Sequence, residues 1–201
     1  MKKMFVLFLS ALPFFACTEK REEAKTAADP KDAVIENLLT RRSIRKFTGT
    51  PVNNDLIDKM LQAAMYAPSA RNTRAWDFVV ITKRELLDRL SVIHPYARVL
   101  KMAPLAILVC GDKKLEPNEA YFSINCSAAT QNILLAAHAL GLGSVWLGVY
   151  SRTERMDPIR DLLKLPAENM PVSLIAIGWP GEKIPHPERY SKEKIHYNDS
   201  W

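Results

Sequence analysis

Four short apolar runs constrain this chain more than any other feature: Phe78–Ile81, Pro104–Cys110, Ser144–Val149 and Val172–Ile177. Each is rich in Val, Ile or Leu and bounded by turn residues, and each is too short for a buried helix, so each predicts a buried strand. Helical patterns fill the intervals. Val34, Ile35, Leu38 and Leu39 fall on one face of an amphipathic helix. Asn53, Asn54 and Asp55 offer N-caps for a second helix through Leu56, Ile57, Met60, Leu61 and Ala64, stopped by Pro68. Residues 118–140 carry a long pattern rich in Ala and Ser, with Gly141 as its C′ residue, and residues 154–163 carry a shorter one. Helices and strands intermixed in this way give an α+β or α/β domain. The stretch 182–201 is charged, proline-containing and too polar for a core.

The front of the chain has a different character. Met1-Lys2-Lys3 is a short basic start, and the thirteen residues Met4–Ala16 carry no charge. That is too few to span a bilayer core, which takes ~20, but it matches a signal-peptide core ending at Ala16-Cys17. Residues 1–17 therefore resemble a bacterial lipoprotein signal with Cys17 as the lipid-bearing residue. Residues 18–32 are polar and without aromatics and read as a tether, and residues 33–201 read as one domain. The alternative is an unprocessed N-terminal helix packed on the domain, in a cytoplasmic protein. The formal net charge is +6; without Lys2 and Lys3 the 28 basic residues become 26 against 22 acidic ones. A domain so mildly basic gives little support to a nucleic-acid partner.

The chain has no GxSxG, Walker A or GxGxxG sequence, so triad hydrolases, P-loop enzymes and Rossmann dehydrogenases lack their signatures. No CxxC pair and no metal-ligand spacing of His occur, so no metal site is expected. Cys110 in a strand and Cys126 in a helix read as inert buried thiols, and His138 as a satisfied helix side chain. What remains is a cluster: Arg41, Arg42, Arg45 and Lys46 around Ser43. Such residues bind phosphate if they converge and are solvated surface charge if they do not. Ala67–Asn72 joins a helix to a strand through small residues, which admits a flat ligand but also suits a plain loop.

In order along the chain, TRRSIRKF (40–47), APSARNTRAW (67–76), CSAATQNILLAAHALGLGSVWLGVY (126–150), AIGWPGEK (176–183) and the closing HYNDSW resemble the nitroreductase family of flavoproteins. The likeness runs from about residue 34 to the end and is greatest to the short members. It implies an α+β fold with a central, mostly antiparallel sheet flanked by helices, a homodimer, and FMN at the subunit interface. By that resemblance Arg41, Ser43 and Arg45 hold the flavin, with Arg42 nearby and Arg189 returning to the phosphate from the tail. Pro68, Ser69, Ala70 and Asn72 reach the flavin from the other subunit. Trp146, Leu147 and Gly148 line the ring with backbone N–H groups near flavin N5. Arg74-Ala75 stands where the family commonly has Gln-Pro, which makes this pocket more cationic.

The implied activity is hydride transfer from NADH or NADPH through the flavin to a small oxidant such as a nitroaromatic or quinone. The cofactor carries the hydride chemistry, so no catalytic side chain is demanded. The second reading, from another class, is an exported non-redox lipoprotein that binds FMN or another phosphate ligand on the same scaffold.

Overall fold

The computed structural model describes residues 29–201. Cys17, the signal-like residues 1–17 and the tether up to residue 28 lie outside the described residues.

Chain entry is set by Asp29, whose carboxylate caps Lys31 N–H at 2.9 Å, and by Pro30 in the first turn, where its fixed φ suits a helix. α1 accordingly spans Pro30–Thr40, so the last three residues read as tether are helical. An extended segment, Arg41–Phe47, leads on to α2 (Asn54–Met65), capped by the Asn53 side chain on Leu56 N–H at 2.9 Å. β1 (Trp76–Ile81) is followed by α3 (Arg84–Ile93), a helix that the apolar runs gave no hint of. Its inward face is Leu87 and Leu90, with Leu86 and Ile93 half-buried beside them on the same core, a helical spacing with no continuous apolar run.

β2 (Leu105–Asp112) continues past its expected end at Cys110. α4 (Glu119–Ala139) is the long Ala/Ser-rich helix, and Gly141 follows its cap with φ of 77°, the left-handed conformation that ends helices at glycine. β3 (Gly143–Gly148), α5 (Thr153–Leu163) and β4 (Asn169–Gly178) complete the domain. The tail beyond β4 is mostly exposed, as its polarity demanded, and irregular apart from one short turn at Lys192–Lys194.

The four strands form one sheet in the order β1-β2-β4-β3, antiparallel throughout. This is the α+β arrangement expected. Pro171 sits in a central strand without an N–H to donate, and the β2–β4 register slips between Val109 and Cys110, opposite it. A bulge at that point accommodates the missing donor.

Each sheet face carries its own core. α3, α5, Ile44 and Phe47 pack with Leu108, Val145, Leu147 and Leu174 on one side. α2 and α4 pack with Ile107, Val109, Ile175 and Ile177 on the other. Cys110 belongs to the first core and Cys126 to the second, and burial pushes both thiols up to about 12. Both are free and buried, as expected of inert thiols.

Candidate functional site

The extended segment after α1 is the foundation of the site. Ile44 N–H donates to Ser144 O at 3.0 Å and Ser43 bridges Ser144 in parallel, which lays the segment along the outer edge of β3. That approach depends on Gly143, where a Cβ would come within 2.8 Å of Ile44 Cβ. On the other side Glu182, just past β4, accepts Arg45 N–H at 2.7 Å and Lys46 N–H at 3.1 Å through one carboxylate oxygen. Gly181 N–H returns to Lys46 O at 2.8 Å. The arginine-rich segment is thus held from both flanks.

Alternation along an extended segment separates its side chains into two sets. Arg42 and Ile44 turn inward and are buried. The Arg42 guanidinium donates to the carbonyls of Leu39 (2.9 Å), Arg41 (2.7 Å) and Pro185 (3.2 Å), tying the end of α1 to the tail. Ser43 and Arg41 are half-buried and Arg45 is exposed. Arg41 is the informative member: burial, then the charges of Arg189 and Arg42, lower its pKa from the ordinary value. Among the described residues none of Arg41, Arg42, Arg45 and Arg189 takes part in an ion pair. Converging guanidiniums without a counter-charge are costly as they stand, and an anion among them relieves that cost. The cluster therefore fits a phosphate.

Behind the segment lies a cavity of about 390 Å³ lined by Arg42, Ile44, His138, Leu142 and Glu182 among others. Thr40 Oγ1 donates to Glu36 O at 2.6 Å, so its 2.9 Å contact with His138 is accepted from His138 Nε2–H. His138 is a satisfied helix side chain with the Nε2 tautomer fixed. Burial, Arg41 and Arg42 lower its pKa.

Further along β3, Trp146 is half-exposed and Gly148 exposed on the sheet face that α2 and α4 cover elsewhere, while Leu147 points into the opposite core. A Cβ on Gly148 would meet nothing within 4 Å, so its backbone faces open space. Together Trp146 and Gly148 present a flat, accessible strand end.

Pro68, Ser69, Ala70 and Asn72 lie elsewhere. Ala70 N–H donates to Asn125 Oδ1 at 2.9 Å, Asn125 being buried in the first half of α4, and Ser69 Oγ accepts Arg74 N–H at 3.0 Å. The end of α1 that leads into the arginine segment meets α4 at its other end, where Asn37 Nδ2 donates to Leu135 O and Thr40 meets His138. Between Asn125 and His138 the helix rises roughly 20 Å, at about 1.5 Å per residue. One chain does not bring the two halves of the expected site together.

Among the described residues no group of three or more potential metal ligands occurs, and no helix is long and apolar enough to cross a membrane. The supporting residues Gly143, Glu182 and Asn125 were not singled out from sequence. Their partners lie far along the chain, and only the Gly143 spacing beside Ser144 gave any local signal.

A family model described as the nitroreductase family matches residues 38–94 and 93–179. A Methanothermobacter thermautotrophicus protein, provisionally named an NADH dehydrogenase/NAD(P)H nitroreductase, is 45% identical over 163 residues, covering 81% of this chain and 85% of that protein. A solved structure of a provisionally named NADH dehydrogenase/NAD(P)H nitroreductase from Parabacteroides distasonis superposes with a TM-score of 0.80 at 42% identity, covering 84% of this chain and 98% of that one. An FMN-dependent nitroreductase from Clostridium difficile gives a TM-score of 0.77 at 35% identity, covering 83% and 99%.

Proposed function

This chain belongs to the nitroreductase family, and we propose that it is an FMN-dependent oxidoreductase that takes a hydride from NADH or NADPH and reduces a small oxidant such as a nitroaromatic or quinone. The observation that carries the cofactor assignment is the grouping of half-buried Arg41 with Arg42 and Arg189, whose charges bear on it, with no ion pair to any of the three among the described residues. The relatives named for nicotinamide and flavin oxidoreductase activity count against the non-redox alternative.

When bound, FMN supplies the hydride chemistry. The chain's own residues bind and orient it. Arg41, Arg45 and Arg189 offer charge-assisted hydrogen bonds to phosphate, with Ser43 beside them, and Arg42 holds α1 and the tail in register behind them. Trp146 and Gly148 present the open strand end to the ring, and Leu147 between them anchors the strand in the opposite core. Pro68, Ser69, Ala70 and Asn72 complete the site from a second copy. The homodimer reading is supported by α1, whose Val34, Ile35, Leu38 and Leu39 are all exposed, and by an apolar groove of about 430 Å³ between α1 and α4.

An absorbance spectrum of the purified protein, before and after NADH or NADPH, tests this reading. A flavin spectrum that bleaches on reduction supports it. A colourless protein that FMN cannot reconstitute overturns it.

We further propose that Cys17 becomes the lipidated N-terminus, holding the domain at a membrane surface facing the periplasm or exterior through residues 18–28. The support is the Lys2-Lys3 start, the short apolar core and the Ala16-Cys17 end; two acyl chains, at ~0.8 kcal/mol per buried CH₂, anchor stably. Intact mass of the membrane fraction decides it, and a soluble protein retaining Met1 defeats it.

A further inference from the structure

Two donors meet on one main-chain oxygen at the end of β3. His94 Nε2 and Arg155 Nη1 each lie 2.8 Å from Gly148 O. His94 follows α3 and is 1% exposed, and Arg155 projects from α5. Tyr96 N–H donates to His94 Nδ1 at 3.2 Å, so Nδ1 is the acceptor and Nε2 carries the proton given to Gly148. Burial lowers the His94 pKa, with the Arg155 charge acting in the same sense and the Gly148 hydrogen bond opposing. The Tyr96 ring packs edge-on to His94 at 6.0 Å and lies 5.6 Å beneath the Arg155 guanidinium. The three side chains hold one another in place.

This arrangement is expensive for what it does to the fold. It places an imidazole in the interior and leaves Arg155 Nε buried without a partner. β3 is already held by its ladder to β4 and by Leu147 and Val145 in the core. What the clamp adds is control of one residue. Ser144 O receives Ile44 N–H at the outer edge, so by alternation Trp146 and Gly148 also turn their N–H and C=O groups outward. The clamped carbonyl therefore belongs to the residue whose bare backbone forms the exposed strand end.

We propose that His94 and Arg155 are positioning residues for the flavin ring, acting through Gly148: they fix the main chain that faces the ring and place a cation beside it. The proposal rests on the FMN reading above. Reduction adds negative charge to the site, so a cation held beside it favours the reduced state.

The test uses the full-length holoprotein and compares Arg155→Gln, which keeps a donor without the charge, with Arg155→Lys, which keeps the charge. His94→Leu, which removes a donor, is compared with His94→Gln, which retains one. FMN affinity, the midpoint potential of bound FMN and the split between kcat and KM are measured for each. We expect Arg155→Gln to weaken the reduction equilibrium roughly tenfold, ~30 mV for a two-electron couple, with FMN affinity nearly unchanged. Arg155→Lys restores the potential, and His94→Gln restores kcat lost in His94→Leu. An unchanged potential in Arg155→Gln, or a loss of thermal stability alone in all four, overturns the proposal while leaving the FMN reading intact. A wild-type protein that binds no FMN removes both.

Discussion

Arg71 Nη2 lies 2.6 Å from both carboxylate oxygens of Glu116, a side chain with no exposed surface, and Glu116 also accepts Asn118 N–H at 3.1 Å. The pair governs a turn in which Arg71, Asn72 and Arg74 all have φ near +50°, at 54°, 55° and 49°. Non-glycine residues adopt that conformation at a cost, and they keep it where surrounding contacts over-determine it. Here those contacts are Glu116 on Arg71, Asn125 on Ala70 and Ser69 on Arg74.

Removing Arg71 alone leaves a buried carboxylate without its partner. Arg71→Ala is therefore expected to destabilise more than the double variant Arg71→Ala/Glu116→Gln. Denaturant unfolding of the four members of the cycle measures it, and additive effects would show that the pair does not act as a unit.

The same pair sets an acid limit. The Arg71 hydrogen bond lowers the Glu116 pKa, burial opposing. A carboxylate depressed in the folded state contributes stability that is present above its ordinary value, near 4.5, and is lost as pH falls through the folded value. Melting temperatures are expected to fall below that ordinary value, and less steeply in Glu116→Gln.

Buried His94 and half-buried His138 act at higher pH. The pKa values of His94 and His138 are both lowered from 6.5, chiefly by burial. Their contribution is complete above that value and is lost as pH falls through the folded values, because the unfolded chain takes up protons first. His138→Gln, which can still donate to Thr40, is expected to flatten the stability profile on the acid side of the ordinary histidine value. Thermal melts across that range check it.

Arg41→Ala and Arg45→Ala are expected to weaken FMN binding by ~1.5–3 kcal/mol each, roughly one to two decades in affinity, with little change in folding. Arg41→Lys is milder but not silent, since the planar fork is lost. Flavin titration decides it; unchanged affinity in both alanine variants would falsify the assignment.

Gly143→Ala places a methyl group against Ile44 Cβ, 2.8 Å away, in a packed core. Overpacking of that kind costs about 1–3 kcal/mol. It also pushes the arginine segment off β3, so both stability and FMN affinity are expected to drop. A stable variant with native affinity would show that the segment reaches its place without this close approach.

The separation of the arginine segment from the Pro68–Asn72 turn along α4 makes a mixing experiment decisive. An Arg41→Ala chain combined with an Asn72→Ala chain is expected to regain one good flavin site per heterodimer, the other being doubly damaged. Sedimentation with flavin absorbance reads both quantities. A monomer carrying one tightly bound FMN would refute the two-chain site.

Much of this was legible along the chain because the signals are local. Each of the four β-branched runs lies within an observed strand apart from one terminal residue in two of them (Pro104 and Val149), and Asn53, Pro68 and Gly141 punctuate helices where their backbone chemistry requires. α3 carries its signal as the spacing of Leu86, Leu87, Leu90 and Ile93 and not as an apolar run, so the strand-like runs pass over it. Val34, Ile35, Leu38 and Leu39 lie at helical spacing on α1, yet that apolar side is exposed within one chain. Periodicity reports that a face needs covering and not which molecule covers it.

For the site, residue types alone named the arginines as candidate phosphate ligands. The motifs in order named the family. Which arginine is free and which is committed was decided only by the fold. Arg41 and Arg42 are neighbours of identical chemistry, and alternation along an extended segment leaves one among other cations and turns the other onto three carbonyls. Glu182, Gly143, His94 and Glu116 act through partners tens of residues away, and no local pattern encodes those meetings. They exist because the sheet order β1-β2-β4-β3 brings chain ends and middles to one edge strand, a long-range packing outcome that sequence spacing does not contain.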